Sequence, residues 1–179
     1  KNGTWKKGMF WSGTSHATLC NPDILKMMAQ HGCSHLVYGY EHFDDRVLKT
    51  IGKGSTRKTN LRSFFWTLEA GIRPIPNQII GFPNEDFDSL RAQMRAWDDL
   101  GIVVKPHFAT AYPGSMWFSQ YKKDILEQYK GQGKKSNLTD DLEAFIIDLG
   151  DASRVSAVIS KNFNAVELVG LREMMLHRQ

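Results

Sequence analysis

Apolar runs bounded by polar turns recur along the first two thirds of the chain. They predict four strands, within residues 8–14, 35–41, 73–83 and 102–112. Between the strands, apolar residues recur three and four positions apart, which is typical of helices with one buried face. In the third helix this face is predicted to consist of Leu61, Phe64, Phe65 and Leu68.

Polar residues that can cap a helix stand where these periodic segments begin. A cap oxygen accepts hydrogen bonds from the first backbone N–H groups of a helix, which otherwise have no partner. Helix starts are therefore predicted at Asn21, at Asp44, at Ser55 or Thr56, at Asn84 or Asp86, and at Asn164.

Glycines mark the predicted helix ends at Gly32, Gly71 and Gly101. They lie about 30 to 40 residues apart, close to the length of a strand–helix–strand unit. Such repeated units favour a parallel sheet with right-handed crossovers. The predicted class is therefore α/β, either a doubly wound sheet or a partial (β/α) barrel of about four parallel strands.

The character of the chain changes after about residue 115. A linker rich in Gly, Lys and Ser occupies residues 130–137, and the remaining segments have helical periodicity. One helix is predicted around Leu142, Phe145, Ile146 and Leu149, and two more near 152–161 and 164–177. We expect residues 1–120 to form the partial barrel and residues 121–179 a linker with a helical carboxyl-terminal extension.

Composition limits the classes of protein to consider. The chain has 179 residues, 41% of them hydrophobic, and a net charge of +4 that is scattered. This excess favours a solvated surface over a nucleic-acid interface. No apolar run approaches the roughly 18 residues of a membrane span, and no secretion signal is recognisable. With two cysteines and no CxxC pair, a reduced cytoplasmic protein is expected.

Candidate functional residues stand at the ends of the predicted strands, because α/β proteins bind ligands at the carboxyl ends of their strands. Glu41 ends the second strand and could accept hydrogen bonds from a pair of ligand hydroxyls. It could instead cap the next helix or pair with Lys53. His16 and His42 could join it as metal ligands, but their spacing matches no metal motif.

Two further residues have structural interpretations of equal simplicity. Glu85 is predicted to complement the dipole of the fourth helix, and Lys53 to belong to a Gly-Lys-Gly helix stop. No nucleophile elbow, phosphate-binding P-loop or dinucleotide fingerprint occurs in the sequence.

Three motifs together resemble the second half of the core of the radical S-adenosylmethionine enzymes. They are HGCSHLVYGYEHFDDRVLKTIGKG, NQIIGFPNEDFDSL and HFATAYPGSMWF, in that order and at barrel spacing. The closest likeness is to the methylthiotransferases and the cobalamin-associated radical enzymes. The final stretch, NFNAVELVGLREMML, also resembles the end of such domains.

This resemblance implies roles for particular residues. The chain would cover about the third to sixth strands of the partial barrel. Glu41 would bind the ribose of S-adenosylmethionine. Ile79, Ile80 and Gly81 would lie against its adenine, which Ala109, Thr110, Ala111 and Tyr112 would border. Ser12 and His16, after the first strand, complete the predicted cofactor-binding set, and His16 stands where many relatives carry an arginine.

One departure from the family is large. The resemblance implies a [4Fe–4S] cluster that reduces S-adenosylmethionine to a 5′-deoxyadenosyl radical and is held by a CxxxCxxC loop. Cys20 and Cys33 cannot replace that loop, because cluster ligation needs closely grouped thiolates. We therefore expect a carboxyl-terminal fragment, with no catalytic or metal-binding residues of its own and inactive alone. S-adenosylmethionine and the cluster would belong to the full-length parent, and this chain alone would bind neither.

The expected partners are the missing amino-terminal part of the same protein and a substrate that the sequence does not identify. Two alternatives stay open. A half-barrel with open sheet edges could be a non-catalytic interaction module or homo-oligomer, since exposed edge strands invite pairing. The basic excess and the strand-end turns would also suit another barrel-type enzyme that acts on a phosphorylated small molecule.

Overall fold

The computed structural model describes residues 8–131, 155 and 157–177. In this part of the chain, strands alternate with helices along the sequence. The strands are β1 (Trp11–Ser15), β2 (Cys33–Glu41), β3 (Arg73–Ile80) and β4 (His107–Phe108). The helices are α1 (Pro22–Gln30), α2 (Asp45–Thr50), α3 (Arg57–Glu69), α4 (Phe87–Leu100), α5 (Met116–Gly131) and α6 (Ala165–Leu176), with a short 3₁₀ helix at Ala17–Leu19.

The chain divides into two compact units, Lys1–Gln78 and Ile79–Gln179. In the first unit β2 pairs in parallel with β1 on one side and with β3 on the other. In the second unit Ile79 and Ile80, which end β3, pair in parallel with β4. The predicted α/β class with four parallel strands, as in a partial (β/α) barrel, is confirmed.

The predicted helix starts are also confirmed. The side chains of Asn21, Asp44, Thr56, Asp86 and Asn164 each accept hydrogen bonds from backbone N–H groups in the first turn of the following helix. For α4 and α6 the bond is reciprocal, since a side chain three residues on also accepts from the cap backbone. These caps set where each helix begins relative to the preceding strand or loop.

The buried face of α3 differs from the predicted apolar face. Phe64 is buried, but Phe65 and Leu68 are exposed, and Asn60, Ser63 and Thr67 are fully buried instead. The reason lies in β2, whose tyrosines present hydroxyls to this helix. Tyr38 Oη lies 2.8 Å from Thr67 Oγ1, and Ser63 Oγ donates to Tyr40 Oη at 3.0 Å. Paired hydroxyls are inexpensive to bury, so a polar face lies inside.

Three further predictions of secondary structure need correction. The first strand was expected within residues 8–14 but comprises Trp11–Ser15, and the fourth, expected within 102–112, is only two residues long. Residues 157–161 are irregular, so a helix over 152–161 is wrong in that part. The predicted helix around Leu142 to Leu149 and residues 132–137 of the linker lie outside the described residues.

In the second unit residues 157–163, called the returning segment here, are bound to the loop that follows β3. The backbone N–H of Lys161 donates to Pro83 O at 3.3 Å, and Asn162 Nδ2 donates to Glu85 O at 2.8 Å. Gln128 of α5 binds the same segment through both ends of its amide, to Val158 N and Val158 O at 2.9 Å each. These bonds lead the chain into α6.

Among the described helices, none is both long and apolar enough to cross a membrane.

Candidate functional site

A strained turn ends β2. The backbone N–H of His42 donates to Tyr40 O at 2.7 Å, which closes a three-residue turn around Glu41. Glu41 itself has φ 60°, the only positive φ of a non-glycine residue in the described part of the chain. A γ-turn of this hand is rare, and a left-handed non-glycine residue costs of order 1–3 kcal/mol. Such a conformation persists only where the surroundings determine it.

Asn60 of α3 is one such surrounding group. Its Nδ2 donates to Tyr40 O at 3.2 Å and to His42 O at 3.1 Å, the two carbonyls on either side of Glu41. Asn60 is fully buried, so these bonds are made away from water. The amide therefore bridges the turn and stabilises its unusual backbone.

The carboxylate of Glu41 folds back over its own strand. A Cβ built on Gly39 would lie 2.7 Å from Glu41 Oε1, so only glycine leaves room for this orientation. Lys53 Nζ donates to the same Oε1 at 2.7 Å. Oε2 is shielded from solvent and has no hydrogen-bond partner among the described residues. One oxygen is thus engaged by Lys53, and the other is a buried acceptor without a partner among the described residues.

Lys53 reaches Glu41 from a tight loop after α2. Gly52 and Gly54 on either side have φ 66° and 69°, a left-handed conformation that glycine adopts without strain. The predicted Gly-Lys-Gly stop and the predicted pairing of Glu41 with Lys53 are thus both present. Capping of α2 by Glu41 is not, because Asp44 makes the cap.

Neighbouring titratable groups have perturbed pKa values for identifiable reasons. Burial opposes ionisation of Asp44, but hydrogen bonds from Arg46 and from the N–H groups of Val47 and Arg46 outweigh it, so its pKa lies below the usual 3.8. Burial raises the pKa of Tyr38 and of Tyr40. Both tyrosines therefore remain neutral.

The predicted residues near β1 lie at different heights along the sheet. Ser12 pairs in register with His35, six residues before Glu41 in β2, a separation of roughly 20 Å along a strand. His16 follows Ser15, whose partner is Tyr38. The Nδ1 atom of His16 accepts a hydrogen bond from Thr18 N at 3.3 Å and lies 2.7 Å from Thr18 Oγ1. His16 therefore follows a register position that is closer to the end of β2 than that of Ser12.

In the second unit, the predicted adenine-side residues meet where β3 and β4 end. Ile80 is fully buried and pairs with Phe108, and its carbonyl accepts from Ala109 N at 2.8 Å. Gly81 has φ 91°, and a Cβ built there would lie 3.1 Å from Leu168 Cδ1 and 3.9 Å from Ala109 Cβ. Ile80, Gly81 and Ala109 thus form one small, buried apolar cluster that packs against Leu168 of α6.

The remaining residues of that set follow β4. Thr110 Oγ1 donates to Phe108 O at 3.1 Å, Ala111 is buried, and Tyr112 is half exposed. Ala109 and Ala111 therefore continue the buried apolar cluster, while Tyr112 lies at its exposed margin. Their predicted contact with adenine stays a prediction.

Glu85 makes a contact that the sequence did not predict. It is fully buried, and its Oε2 accepts from Gly81 N at 2.5 Å. It therefore fixes the left-handed turn at Gly81, while Asp86 caps α4. Sequence reasoning missed this role and those of Asn60 and Gly39, because all three act on backbone positions that only the fold defines.

The cysteine and histidine side chains do not form a metal site in the described residues. No three His, Cys, Asp or Glu side chains group closely enough there to hold a metal ion. The thiol of Cys20 lies 3.7 Å from Tyr38 Oη, and burial raises the pKa of Cys33. With only two cysteines in its sequence, this chain does not fit a [4Fe–4S] cluster ligated by three of its own thiolates.

Comparison of sequences identifies a curated relative, although no protein-family model matches the chain. An uncharacterized methyltransferase of Pyrococcus horikoshii, PH0819, is 29% identical over 118 residues. The match covers 65% of this chain and 26% of that protein. The chain therefore spans about a quarter of the length of this relative.

Comparison with solved structures identifies proteins whose fold is similar to that of this chain. TsrM from Kitasatospora setae, a radical S-adenosylmethionine methyltransferase determined with cobalamin and a [4Fe–4S] cluster, matches with TM-score 0.51 and 20% identity, over 66% of this chain and 23% of its own. HemN, the coproporphyrinogen III oxidase of Escherichia coli and a radical S-adenosylmethionine enzyme, matches with TM-score 0.52 and 16% identity, over 77% and 31%.

Elp3 from Methanocaldococcus infernus matches with TM-score 0.54 and 10% identity, over 64% of this chain and 28% of its own. At these identities the likeness concerns the fold. The chain therefore shares its fold with radical S-adenosylmethionine enzymes, as its three motifs predicted.

Proposed function

We propose that this chain is the carboxyl-terminal part of the core barrel of a radical S-adenosylmethionine enzyme and supplies the ribose and adenine side of its cofactor site. The observation that carries the proposal is Glu41. It ends a parallel strand, in a strained turn, with one carboxylate oxygen engaged by Lys53 and the other buried without a partner among the described residues. Strain of this kind concentrates at ligand sites.

The residues of each unit fit a nucleoside. In the first unit Glu41 Oε2 would accept a hydrogen bond from a ribose hydroxyl, and a charged acceptor strengthens such a bond. In the second unit Ile80, Gly81 and Ala109 are buried beside Leu168, so adenine would lie at the exposed margin of this cluster, next to Thr110 and Tyr112. In the complete enzyme the bound cofactor supplies the radical chemistry, and these residues bind and orient it.

The iron–sulfur cluster is assigned to the missing amino-terminal part, because two cysteines cannot ligate it. We propose that the chain alone is therefore inactive, and that it completes its site with that part of the same protein. The substrate of the complete enzyme belongs to the same proposal and is not specified by the residues described. Both cysteines are unbridged, which fits a reducing compartment such as the cytoplasm.

A titration with adenosine tests the nucleoside site in this chain. Tight binding is not expected without the groups that hold the amino-acid end of the cofactor, so a dissociation constant of about 1 mM is a reasonable expectation. Backbone amide NMR shifts should change around Glu41, Gly81 and Ala109. Glu41→Gln should weaken binding about tenfold or more, since hydrogen bonds to charged groups contribute about 1.5–3 kcal/mol.

Glu69→Gln is the matched control, because Glu69 is an exposed acid at the end of α3 and the chemical change is the same. It should leave the titration unchanged. Shifts that map elsewhere, or equal binding by the Glu41→Gln variant, would refute the proposed site.

The inactivity of the chain is tested separately. After anaerobic reconstitution with iron and sulfide, we expect no cluster absorption and no cleavage of S-adenosylmethionine with a reductant. A reconstituted cluster with cleavage activity would contradict the proposal that this chain is a fragment.

A further inference from the structure

Lys53 is held against Glu41 by more of the local structure than a helix end requires. The helix end itself uses backbone groups, since Gly52 N donates to Lys49 O at 3.2 Å and Lys53 N to Leu48 O at 3.5 Å. Neither bond needs a lysine side chain. The two left-handed glycines beside Lys53 instead return the chain so that its ammonium reaches the end of β2.

The ion pair that results is shielded. The side chains of Lys53 and Glu41 are 28% and 13% exposed, and Nζ and Oε1 are 2.7 Å apart. By contrast, Arg91 and Asp88 on α4 form a pair of similar length, 2.8 Å, at 63% and 78% exposure. Exposed pairs contribute little, whereas partial burial weakens screening by water and salt. The Lys53–Glu41 pair is therefore the one suited to fix a side chain.

Gly39 makes the placement specific. A Cβ at this position would lie 3.1 Å from Lys53 Nζ as well as 2.7 Å from Glu41 Oε1. Both charged atoms thus lie over the same bare stretch of strand. The carboxylate is held in one orientation, with Oε1 engaged by Lys53 and Oε2 left over.

We infer that Lys53 is a positioning residue, which occupies Oε1 of Glu41 so that Oε2 alone is presented to a ligand hydroxyl. This inference rests on the proposed function. It goes further by giving the acceptor a fixed direction and by assigning Lys53 to the carboxylate rather than to the ligand. Ordering the acceptor beforehand reduces the entropy that ligand binding must otherwise supply.

The ion pair itself can be tested without a ligand. In heteronuclear NMR the side-chain ammonium of Lys53 should give an observable signal, because a paired and shielded ammonium exchanges its protons slowly. Glu41→Gln should abolish that signal, and Lys49→Met, at an exposed lysine of α2, should leave it unchanged. A Lys53 signal that persists in Glu41→Gln would overturn the inference.

A double-mutant cycle then separates an indirect role from a direct one. Lys53→Met should weaken adenosine binding about threefold to tenfold, and Lys53→Arg should restore most of it. If Lys53 acts through Glu41, Lys53→Met should have no further effect in the Glu41→Gln background, because the two changes remove one shared interaction. Equal losses in both backgrounds would overturn the inference.

S-adenosylhomocysteine provides the last comparison, since it carries an amino-acid end that adenosine lacks. The inference predicts the same fold-loss for both ligands in Lys53→Met. A loss confined to S-adenosylhomocysteine would mean that Lys53 contacts the ligand itself, and would overturn it. If the wild-type chain bound no adenosine, the proposed function and the role built on it would fail, while the ammonium signal would still report whether the pair forms.

Discussion

At the scale of single residues, Glu41 shows a conflict between stability and position. Its φ of 60° is unfavourable for any residue with a Cβ, yet a glycine there would lose the carboxylate. Asn60 and Lys53 hold the backbone and the side chain in place from two different elements. The cost of the turn is therefore met by contacts that serve one carboxylate.

This conflict predicts an unusual order of stability for two variants. Glu41→Gly and Glu41→Ala both remove the carboxylate, so they differ chiefly in the strain of a left-handed Cβ. Glu41→Gly should be the more stable by about 1 kcal/mol, whereas in the interior of a strand or helix alanine is favoured by about 0.5–1 kcal/mol. Urea unfolding measures the difference, and an alanine variant of equal or greater stability would contradict the strain.

A substitution at Gly39 should affect the position of the Lys53–Glu41 ion pair more than the stability of the fold. Gly39→Ala should change the free energy of unfolding by less than about 1 kcal/mol, because the atoms it meets are the movable ends of Glu41 and Lys53. The same change should displace the ion pair and remove the Lys53 ammonium signal in NMR. Gly13→Ala is the control, since its Cβ would meet Leu36 Cδ2 at an ordinary 3.6 Å. A retained signal in Gly39→Ala would argue against the described geometry.

Within the candidate site, Glu41 could be predicted from the sequence, but the residues that surround and hold it could not. Glu41 was identifiable because an acid that follows an apolar strand stands at a known kind of position. Asn60 lies on a helix face whose polar partners, the Tyr38 and Tyr40 hydroxyls, become neighbours only when α3 packs on β2. Periodicity considers apolar residues only, so it predicted Phe64 correctly but missed the polar residues of the buried face of α3.

At the scale of elements, the helix starts were predictable because a cap is a local interaction. Asp44 illustrates the physics, since its Oδ1 accepts from Arg46 N at 2.8 Å and Val47 N at 3.2 Å while Arg46 pairs with its carboxylate. The strand lengths were less predictable, since β4 depends on pairing with the end of β3 and comprises two residues.

The cap at Asp44 predicts a pH dependence. Its pKa is lower in the folded chain than its usual 3.8, so the stabilisation is fully present above about pH 5 and is lost as the pH falls through the folded pKa. Asp44→Asn keeps a competent cap but removes the charge. The variant should be less stable than the wild type at pH 7 by less than about 1 kcal/mol, because solvent screens the charge.

That difference should shrink as the pH is lowered below 3.8, measured by urea unfolding at a series of pH values. Asp124→Asn, at an exposed acid of α5, serves as the control and should show a small difference throughout. A pH-independent difference at Asp44 would mean that the charge makes no contribution.

At the scale of the whole molecule, each of the two units has its own supporting contacts. In the second unit α6 packs Leu168 against Gly81, and Arg172 lies over the Phe108 ring at 4.5 Å. The carboxyl-terminal helix therefore contacts the residues at the ends of β3 and β4. That arrangement could not be predicted from periodicity, because α6 is apolar on more than one side, with Val166 and Met174 exposed.

The contact at Gly81 predicts the stability of this unit. Gly81→Ala should release α6, because the new methyl would meet Leu168 at 3.1 Å and because φ 91° strains any side chain. We expect a loss of about 1–3 kcal/mol and faster hydrogen exchange over Ala165–Leu176. Gly170→Ala, in the same helix with nothing within 4 Å of its Cβ, should instead stabilise it by up to about 1 kcal/mol. Unchanged exchange in Gly81→Ala would contradict this account.

Gln128 has a consequence for how the returning segment can evolve. The side-chain amide of Gln128 hydrogen-bonds the backbone N–H and C=O of Val158. Every residue except proline carries both groups, so the side chain at position 158 takes no part in this contact. Three residues further on, Lys161 N is bound to Pro83 O in the same backbone manner. Substitutions at position 158 can therefore accumulate without weakening the binding of the segment. A single-residue insertion between positions 158 and 161 would instead prevent both backbone contacts from forming together.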